Sequence, residues 1–372
     1  MHAPEIHTGD PMAAALALAQ RAIGLTGPNP RVGCVIVGPG GELLGQGHTQ
    51  PAGQAHAEVM ALADAASRGH SVRGATAYVT LEPCSHHGRT GPCCDALVAA
   101  GIGRVVASLQ DPNPRVAGQG FERLRAGGVD VQVGPGAAES RELNLGFFSR
   151  MVRGTPWVRM KVAASLDGQT ALENGASQWI TSEAARADGH AWRARANVVL
   201  TGIGTVLEDN PRLDVRLAPV KRQPDAVLVD SRLELPADAA LFVPGRRLFV
   251  YAAVDDAARA EALRARGATV TALPGPGGKV DLAAMLRDLA AREVNEVHVE
   301  AGHKLNGSLL REGLVDELLV YLAPRLLGQG RGMSTFGPLS RLSDALELEF
   351  KSIDPVGEDL RVIARVRGRD SF

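Results

Sequence analysis

Aromatic residues are scarce, only 4% of the 372-residue chain, so Val, Leu, Ile and Ala must fill its cores. Net charge is nearly absent. Forty Lys and Arg oppose 41 Asp and Glu, a formal −1, with no long run of one sign. This argues against nucleic acid as a partner, because binders of polyanions carry a basic excess. No apolar run approaches the ~20 residues needed to cross a bilayer, so no membrane partner is expected. The stretch Met12–Ala19 (MAAALALA) resembles a signal sequence, but it follows an acidic start and lacks a basic leader. It reads as a helix face. Cysteine is also rare: Cys34, Cys84, Cys93 and Cys94, the last three within eleven residues. A secreted disulfide framework would spread them out, so a reducing, cytoplasmic compartment is expected.

What is present is length and alternation. The chain is too long for one ordinary core and suits two domains. Helical patterns cover Met12–Leu25, Ala57–Ser67, a segment from Cys93 and Gly118–Ala126. Between them lie strand-like runs at Arg31–Val37, Glu42–Gly47, Ala75–Leu81, Arg104–Leu109 and Val129–Val133, the first two reading as a hairpin. The pattern changes around Phe147–Pro156, and a fresh strand starts at Trp157. Domains are therefore expected at residues 1–147 and 154–372. The second half again alternates, with strands at Ala196–Thr201, Ala226–Asp230, Leu248–Tyr251, Thr269–Ala272 and Glu296–Glu300. Its helices are expected at Glu183–Arg195, Asp256–Arg266, Asp281–Arg292 and Leu305–Glu312. Both halves read as layered α/β domains.

His56-Ala57-Glu58 opens a helix, Pro83-Cys84 follows a strand, and Cys93 opens the next helix. One imidazole and two thiolates suit a tetrahedral Zn²⁺ that keeps one position for water. Glu58, two residues after His56, can reach that water and move its proton without binding the metal. The zinc-deaminase signature is H-x-E…P-C-x-x-C, whereas here eight residues separate the cysteines. A structural zinc site with Cys94 as a fourth ligand is the alternative, but adjacent cysteines rarely bind one metal. Cys34 reads as core packing.

The stretch Thr80–Cys94 (TLEPCSHHGRTGPCC) closely resembles the deaminase domain of the bifunctional riboflavin-biosynthesis deaminase/reductases, in which the longer spacing is normal. Pro28–Gly33, Gly47-His48, His56-Ala57-Glu58, Asp111–Pro114 with Val116, and Gly118-Gln119-Gly120 agree. In the second half Lys161–Ala171, Ser177–Ser182, Asp209-Asn210-Pro211, Val299–Gly302 and Val315-Asp316-Glu317 agree as well. Gly91, where the family usually carries proline, is a departure. The resemblance implies a cytidine-deaminase-like three-layer α/β/α domain and a dihydrofolate-reductase-like α/β domain. It implies Zn²⁺-dependent deamination of 2,5-diamino-6-ribosylamino-4(3H)-pyrimidinone 5′-phosphate, then NADPH-dependent reduction of its ribosyl group to ribityl. Asn29, His48, His86 and Arg89 would line the deaminase pocket.

In the reductase half, Gly202-Ile203-Gly204 starts like a dinucleotide fingerprint, but Leu207 holds the third glycine position, so a Rossmann reading is weak. The resemblance instead puts Ala163, Trp179, Thr205, Asp209, Ser231 and the loop Gly302, His303, Lys304, Leu305, Asn306, Gly307 and Ser308 on NADPH. It puts Ser177, Arg193, Leu213, Arg216 and Glu300 on the substrate. Lys161, Asp167 and Glu300 are candidates near the reduction chemistry, Asp167 with a structural turn as its alternative. A homo-oligomer is expected. A deaminase acting on another nucleobase or on tRNA shares the zinc chemistry but leaves the second half unexplained. A zinc-stabilised regulator would have no need of Glu58.

Overall fold

The computed structural model describes residues 9–86, 91–114 and 116–372. The chain divides into two units, residues 1–154 with Phe372, and Thr155–Ser371. In the first, the order is α1 (Pro11–Gln20), β1 (Gly33–Val37), β2 (Leu43–His48), α2 (Ala57–Ser67), β3 (Thr76–Val79), α3 (Cys93–Ala99), β4 (Arg104–Ala107), α4 (Gln119–Ala126), β5 (Asp130–Val133), α5 (Ala137–Leu143) and α6 (Leu145–Arg153). The sheet runs β2-β1-β3-β4-β5. β1 is antiparallel to both neighbours, while β3, β4 and β5 are parallel.

Every residue of β1 is buried, because helices cover both faces. Cys34 and Ile36 pack with Ala57, Ala61 and Leu97, whereas Val35 and Val37 pack with Ala15 and Leu18 of α1. The three-layer α/β/α arrangement follows from that two-sided burial. Gly33 permits the close approach of α1, since a Cβ there would lie 1.9 Å from the Ala15 carbonyl oxygen. Asp10 caps α1 by accepting from the Met12 and Ala13 amides, and Pro11 occupies the first turn. The helix ends at Gln20, short of the expected Leu25, in a series of turns.

Residue 147, expected to end the first domain, falls inside α6. That helix buries Leu145, Phe147 and Phe148 and stops at Gly154, whose φ of 69° favours glycine. The two compact units meet at Gly154/Thr155. The amphipathic face of α6 was hidden by the Arg and Gly residues around it.

The second unit contains β6 (Trp157–Ser165), β7 (Gln169–Leu172), α7 (Glu183–Arg195), β8 (Val198–Gly202), α8 (Ile203–Asp209), β9 (Asp225–Val229), β10 (Leu248–Ala252), α9 (Ala257–Ala265), β11 (Ala268–Ala272), α10 (Leu282–Ala291), β12 (Glu296–Val299), α11 (His303–Arg311), β13 (Glu317–Ala323), β14 (Gly330–Gly332), β15 (Leu348–Val356) and β16 (Asp359–Val366). Nine strands form one sheet, β11-β10-β9-β8-β12-β6-β13-β16-β15, parallel from β11 to β13 and closed by the antiparallel β15–β16 hairpin. β7 and β14 pair separately.

One face of this sheet is largely apolar, carrying Val158, Met160, Val198, Leu200, Val227 and Phe249. On the other face the apolar cluster of Val199, Leu228 and Val250 gives way to charge. Arg159 pairs with Glu317 at 2.6 Å and Glu296 at 3.3 Å, and Arg365 pairs with Glu317 at 2.7 Å. All four side chains are buried. Trp192 of α7 lies over the Arg159 guanidinium. Each buried charge is therefore matched by an opposite one on an adjacent strand, which such burial requires. Replacing Glu317 with Ala takes one of two carboxylate partners from each of two buried guanidiniums, leaving Arg159 with Glu296 and Arg365 with Asp370, and the expected loss is about 3 kcal/mol. A urea titration should show a lowered unfolding midpoint for this unit; an unchanged midpoint would mean that the network contributes nothing.

Candidate metal centre and reductase cleft

Three segments converge at the metal centre. His56 is the N-cap of α2, Cys84 follows β3, and Cys93 is the first residue of α3. The Cys84 and Cys93 Sγ atoms lie 3.6 and 3.4 Å from His56 Nδ1, and all three ligand atoms fall within 4.8 Å of one another. Tetrahedral Zn²⁺ with ordinary Zn–N and Zn–S lengths sets N and S about 3.5 Å apart, so this donor set fits zinc. Among the described residues no fourth His, Cys, Asp or Glu joins the group.

Glu58, in the first turn of α2, is buried beside these atoms. Burial, then the Cys84 charge, pushes its carboxyl up to about 7. Cys84 is held down at about 4, first by the hydrogen bond from Cys93 and, against its burial, by His56. Cys93 is pushed up by the same bond and by burial. The Cys93 amide donates to the Cys84 sulfur at 3.4 Å, adding the positive end of α3. Cys94 turns away, its thiol donating to the carbonyls of Pro83 at 3.0 Å and Gly120 at 3.4 Å. Cys34 is buried in β1, in the core.

Glu82 was missed in the sequence because it lies within TLEPC as one more polar residue. Its buried carboxylate accepts the amides of Asp111 (3.1 Å), Gly118 (3.0 Å) and Gly120 (2.8 Å). It thereby ties the segment containing Asp111–Pro114 to the strand end that carries Cys84. Asn29 lies in the turn before β1, where Thr26 donates to its carbonyl. His48 ends β2, its Nδ1 3.0 Å from the Thr49 carbonyl oxygen. His86 is half-buried two residues after Cys84. Arg89 lies outside the described residues.

In the second unit a cleft of about 1380 Å³ gathers most of the residues expected to hold substrate and cofactor. Lys161, Ser177, Arg193, Leu213, Arg216 and Glu300 line it. So do Ala163, Trp179, Thr205, Asp209, Ser231, Gly302, His303, Lys304, Leu305, Asn306 and Ser308. At its centre Glu300 accepts from Arg193 through both oxygens, one bond at 2.8 Å, and lies 3.8 Å from the Lys161 ammonium. Burial opposes ionisation of Glu300, but Arg193 and then Lys161 hold it well below the usual carboxylate range. Burial lowers Lys161, against the pull of Glu300. His298, fully buried on the same face of β12, puts Nε2 3.4 Å from Glu300. Nothing in the sequence singled it out, since a strand histidine resembles its apolar neighbours in pattern.

Two expected residues lie elsewhere. Asp167 is exposed, outside the cleft lining, and accepts from Ser165 and from the Leu327 and Gly328 amides at 3.2 and 2.8 Å. Its placement is that of a turn organiser. Gly307 instead packs against Thr335, where a Cβ would stand 2.2 Å from the carbonyl oxygen. The donor set otherwise suits a dinucleotide phosphate. α11 starts after Gly302 with no side-chain cap, leaving first-turn amides for a ligand, and a Cβ at Gly204 would meet open space.

A zinc deaminase unit joined to a reductase unit is the class these two sites define, and the comparisons agree. Residues 8–109 match the cytidine and deoxycytidylate deaminase zinc-binding region, and residues 156–362 match the RibD C-terminal domain. The chain is 47% identical to the riboflavin biosynthesis protein RibD of Escherichia coli, over 94% of this chain and 96% of that one. It is 39% identical to RibD of Aquifex aeolicus, with the same coverage. Among solved structures it is similar to RibD of Acinetobacter baumannii, with a TM-score of 0.85, 39% identity and coverage of 95% and 97%. It is also similar to a diaminohydroxyphosphoribosylaminopyrimidine deaminase/5-amino-6-(5-phosphoribosylamino)uracil reductase of Thermotoga maritima, with a TM-score of 0.84, 32% identity and coverage of 96% and 97%. The chain belongs to the RibD family of riboflavin-biosynthesis proteins.

Purified protein should carry about one zinc ion per chain, and Cys93→Ser should lower that content severalfold. Metal analysis by mass spectrometry checks both; full zinc in the variant would remove Cys93 from the ligand set.

Proposed function

We propose that this chain deaminates 2,5-diamino-6-ribosylamino-4(3H)-pyrimidinone 5′-phosphate in its first unit and reduces the ribosyl group of the product, with NADPH, in its second. The observation that carries the reading is the convergence of His56, Cys84 and Cys93 beside the buried Glu58. Zn²⁺, when bound, supplies an acidified water at neutral pH. Glu58, poised by burial near neutrality, would accept a proton at its carboxylate and return it to the departing amine. Asn29, His48 and His86 would contact the pyrimidine ribotide. Asp111 is also pushed up by burial, to about 7, and lies on the segment that Glu82 holds.

In the cleft, Thr205, Ser231, Gly302 and Ser308 would hold NADPH, which when bound would supply a hydride to the ring-opened sugar. Lys161 holds a proton beside the reacting carbon, kept mobile by burial and oriented by Glu300. Glu300 accepts from sugar hydroxyls while Arg193 keeps it ionised. Arg216, half-exposed and paired with Asp214, reaches the substrate phosphate, because a guanidinium fork matches phosphate oxygens. Arg193 serves the phosphate less directly, since its fork is already filled by Glu300.

The finer reading of assembly and place is a cytoplasmic homo-oligomer. No helix of the described residues is long and apolar enough to cross a membrane. Strand β15, at the sheet edge, leaves Phe350 67% and Ile353 55% exposed, a surface that a second copy would cover. Sedimentation at micromolar concentration should give a species larger than the monomer.

Glu58→Gln should lower deamination turnover about 10²–10⁴-fold while zinc content stays at the unaltered level. Ammonia release with parallel metal analysis reads this, and undiminished turnover would overturn the proton-transfer assignment. Arg216→Ala should raise the reductase KM about tenfold or more with deamination unaffected. Unchanged NADPH-oxidation kinetics would sink the phosphate assignment.

A further inference from the structure

The carboxyl ends of parallel strands face the cleft in sheet order. β6 brings Lys161 and Ala163, β12 leads into Glu300 and Gly302, β8 ends at Gly202, and β9 leads into Ser231 and Arg232. Strands lie about 4.8 Å apart, so β6 and β9 are separated by about 14 Å. The N-termini of α11 and α8 fall between them, after β12 and β8. A dinucleotide whose reducing ring sits at Lys161 and whose diphosphate sits at those helix ends must carry its adenosine outward over β9.

Most cations of the cleft already have partners. Arg193 is held by Glu300, Arg216 by Asp214 and Arg331 by Glu208, while Arg186 stacks on Trp179. Lys304 stands at the start of α11, beside the diphosphate position. Arg232 and Lys279 are different. Both are exposed, both line the cleft, and neither forms an ion pair among the described residues. Arg232 follows β9. Lys279 lies in the short turn from β11 to α10, where its carbonyl accepts from the Gly275 amide at 2.7 Å. Two free cations thus line the outer part of the cleft alongside the carboxylates of Asp281, engaged in capping α10 through the Ala284 amide at 2.7 Å, and Glu234, which alone would favour an unphosphorylated ribose.

We propose that Arg232 and Lys279 bind the 2′-phosphate of the adenosine ribose and so set the preference for NADPH over NADH. The inference rests on the reductase reading above. Equilibrium binding to the full chain tests it, with nucleotide fluorescence as the readout. Arg232→Ala should raise the NADPH Kd about tenfold or more, with the NADH Kd changed less than about twofold. Arg232→Ala/Lys279→Ala should bring the two constants close together. Calorimetry with 2′-AMP and 5′-AMP gives a second readout, in which only 2′-AMP binding should weaken. Equal weakening of NADPH and NADH, or no weakening of either, would overturn the assignment. If the unaltered chain bound neither nucleotide, the reductase reading itself would fall, and this inference with it.

Discussion

Two sulfurs and one imidazole can share a single cation only if three separate pieces of backbone are held within a few ångströms of one another. The first unit achieves this with its sheet. β3 carries the chain to Cys84, while α2 and α3, packed on one face, bring His56 and Cys93 by their first turns. Ala57, Ala61 and Ala65 let α2 lie close to the strands, and Gly45 and Gly47 remove the side chains that would prevent it. Glu58 is buried by the same packing. Its elevated affinity for a proton is therefore a product of helix placement, with the neighbouring sulfur adding to it.

The second unit relies on direction. Parallel strands deliver their carboxyl ends to one edge, so helix N-termini, a lysine and a carboxylate meet in one cleft. The charged layer beneath α7 continues along the same sheet face, from Arg365 and Glu317 through Arg159 and Glu296 to His298 and Glu300. Glu300 is thus the cleft-facing end of a ladder that also helps join β12, β6, β13 and β16. Its ionisation and the cohesion of the sheet draw on the same alternation of side chains along β12.

Much of this was legible in the residues. Helix α2 runs from Ala57 to Ser67, as its alanine pattern and preceding His56 predict, and α7 from Glu183 to Arg195. The metal triad could be found because its chemistry is carried by rare residue types. Asp167 shows the opposite case: an acidic residue in a tight turn beside matching motifs invites a chemical role, and only the amides of Leu327 and Gly328, 160 residues away, reveal what it holds. Glu82 and His298 were illegible for a related reason. Their partners are backbone amides or distant side chains, which leave no periodic trace. The hairpin β15–β16 also escaped, because β15 is mostly exposed and a register shift between Phe350 and Ser352 breaks its alternation of apolar and polar residues.

The eight residues between the two ligand cysteines are a departure from the shorter deaminase spacing only when counted along the chain. Both ends of that stretch are clamped: the Cys94 amide donates to the Cys84 carbonyl at 3.2 Å, and the Cys94 thiol donates to Pro83. Since the clamps fix both ligand positions, what runs between them is a free parameter. Segments of different length can be threaded through the same gap, and substrate contacts can be rebuilt there, while the coordination geometry is inherited unchanged.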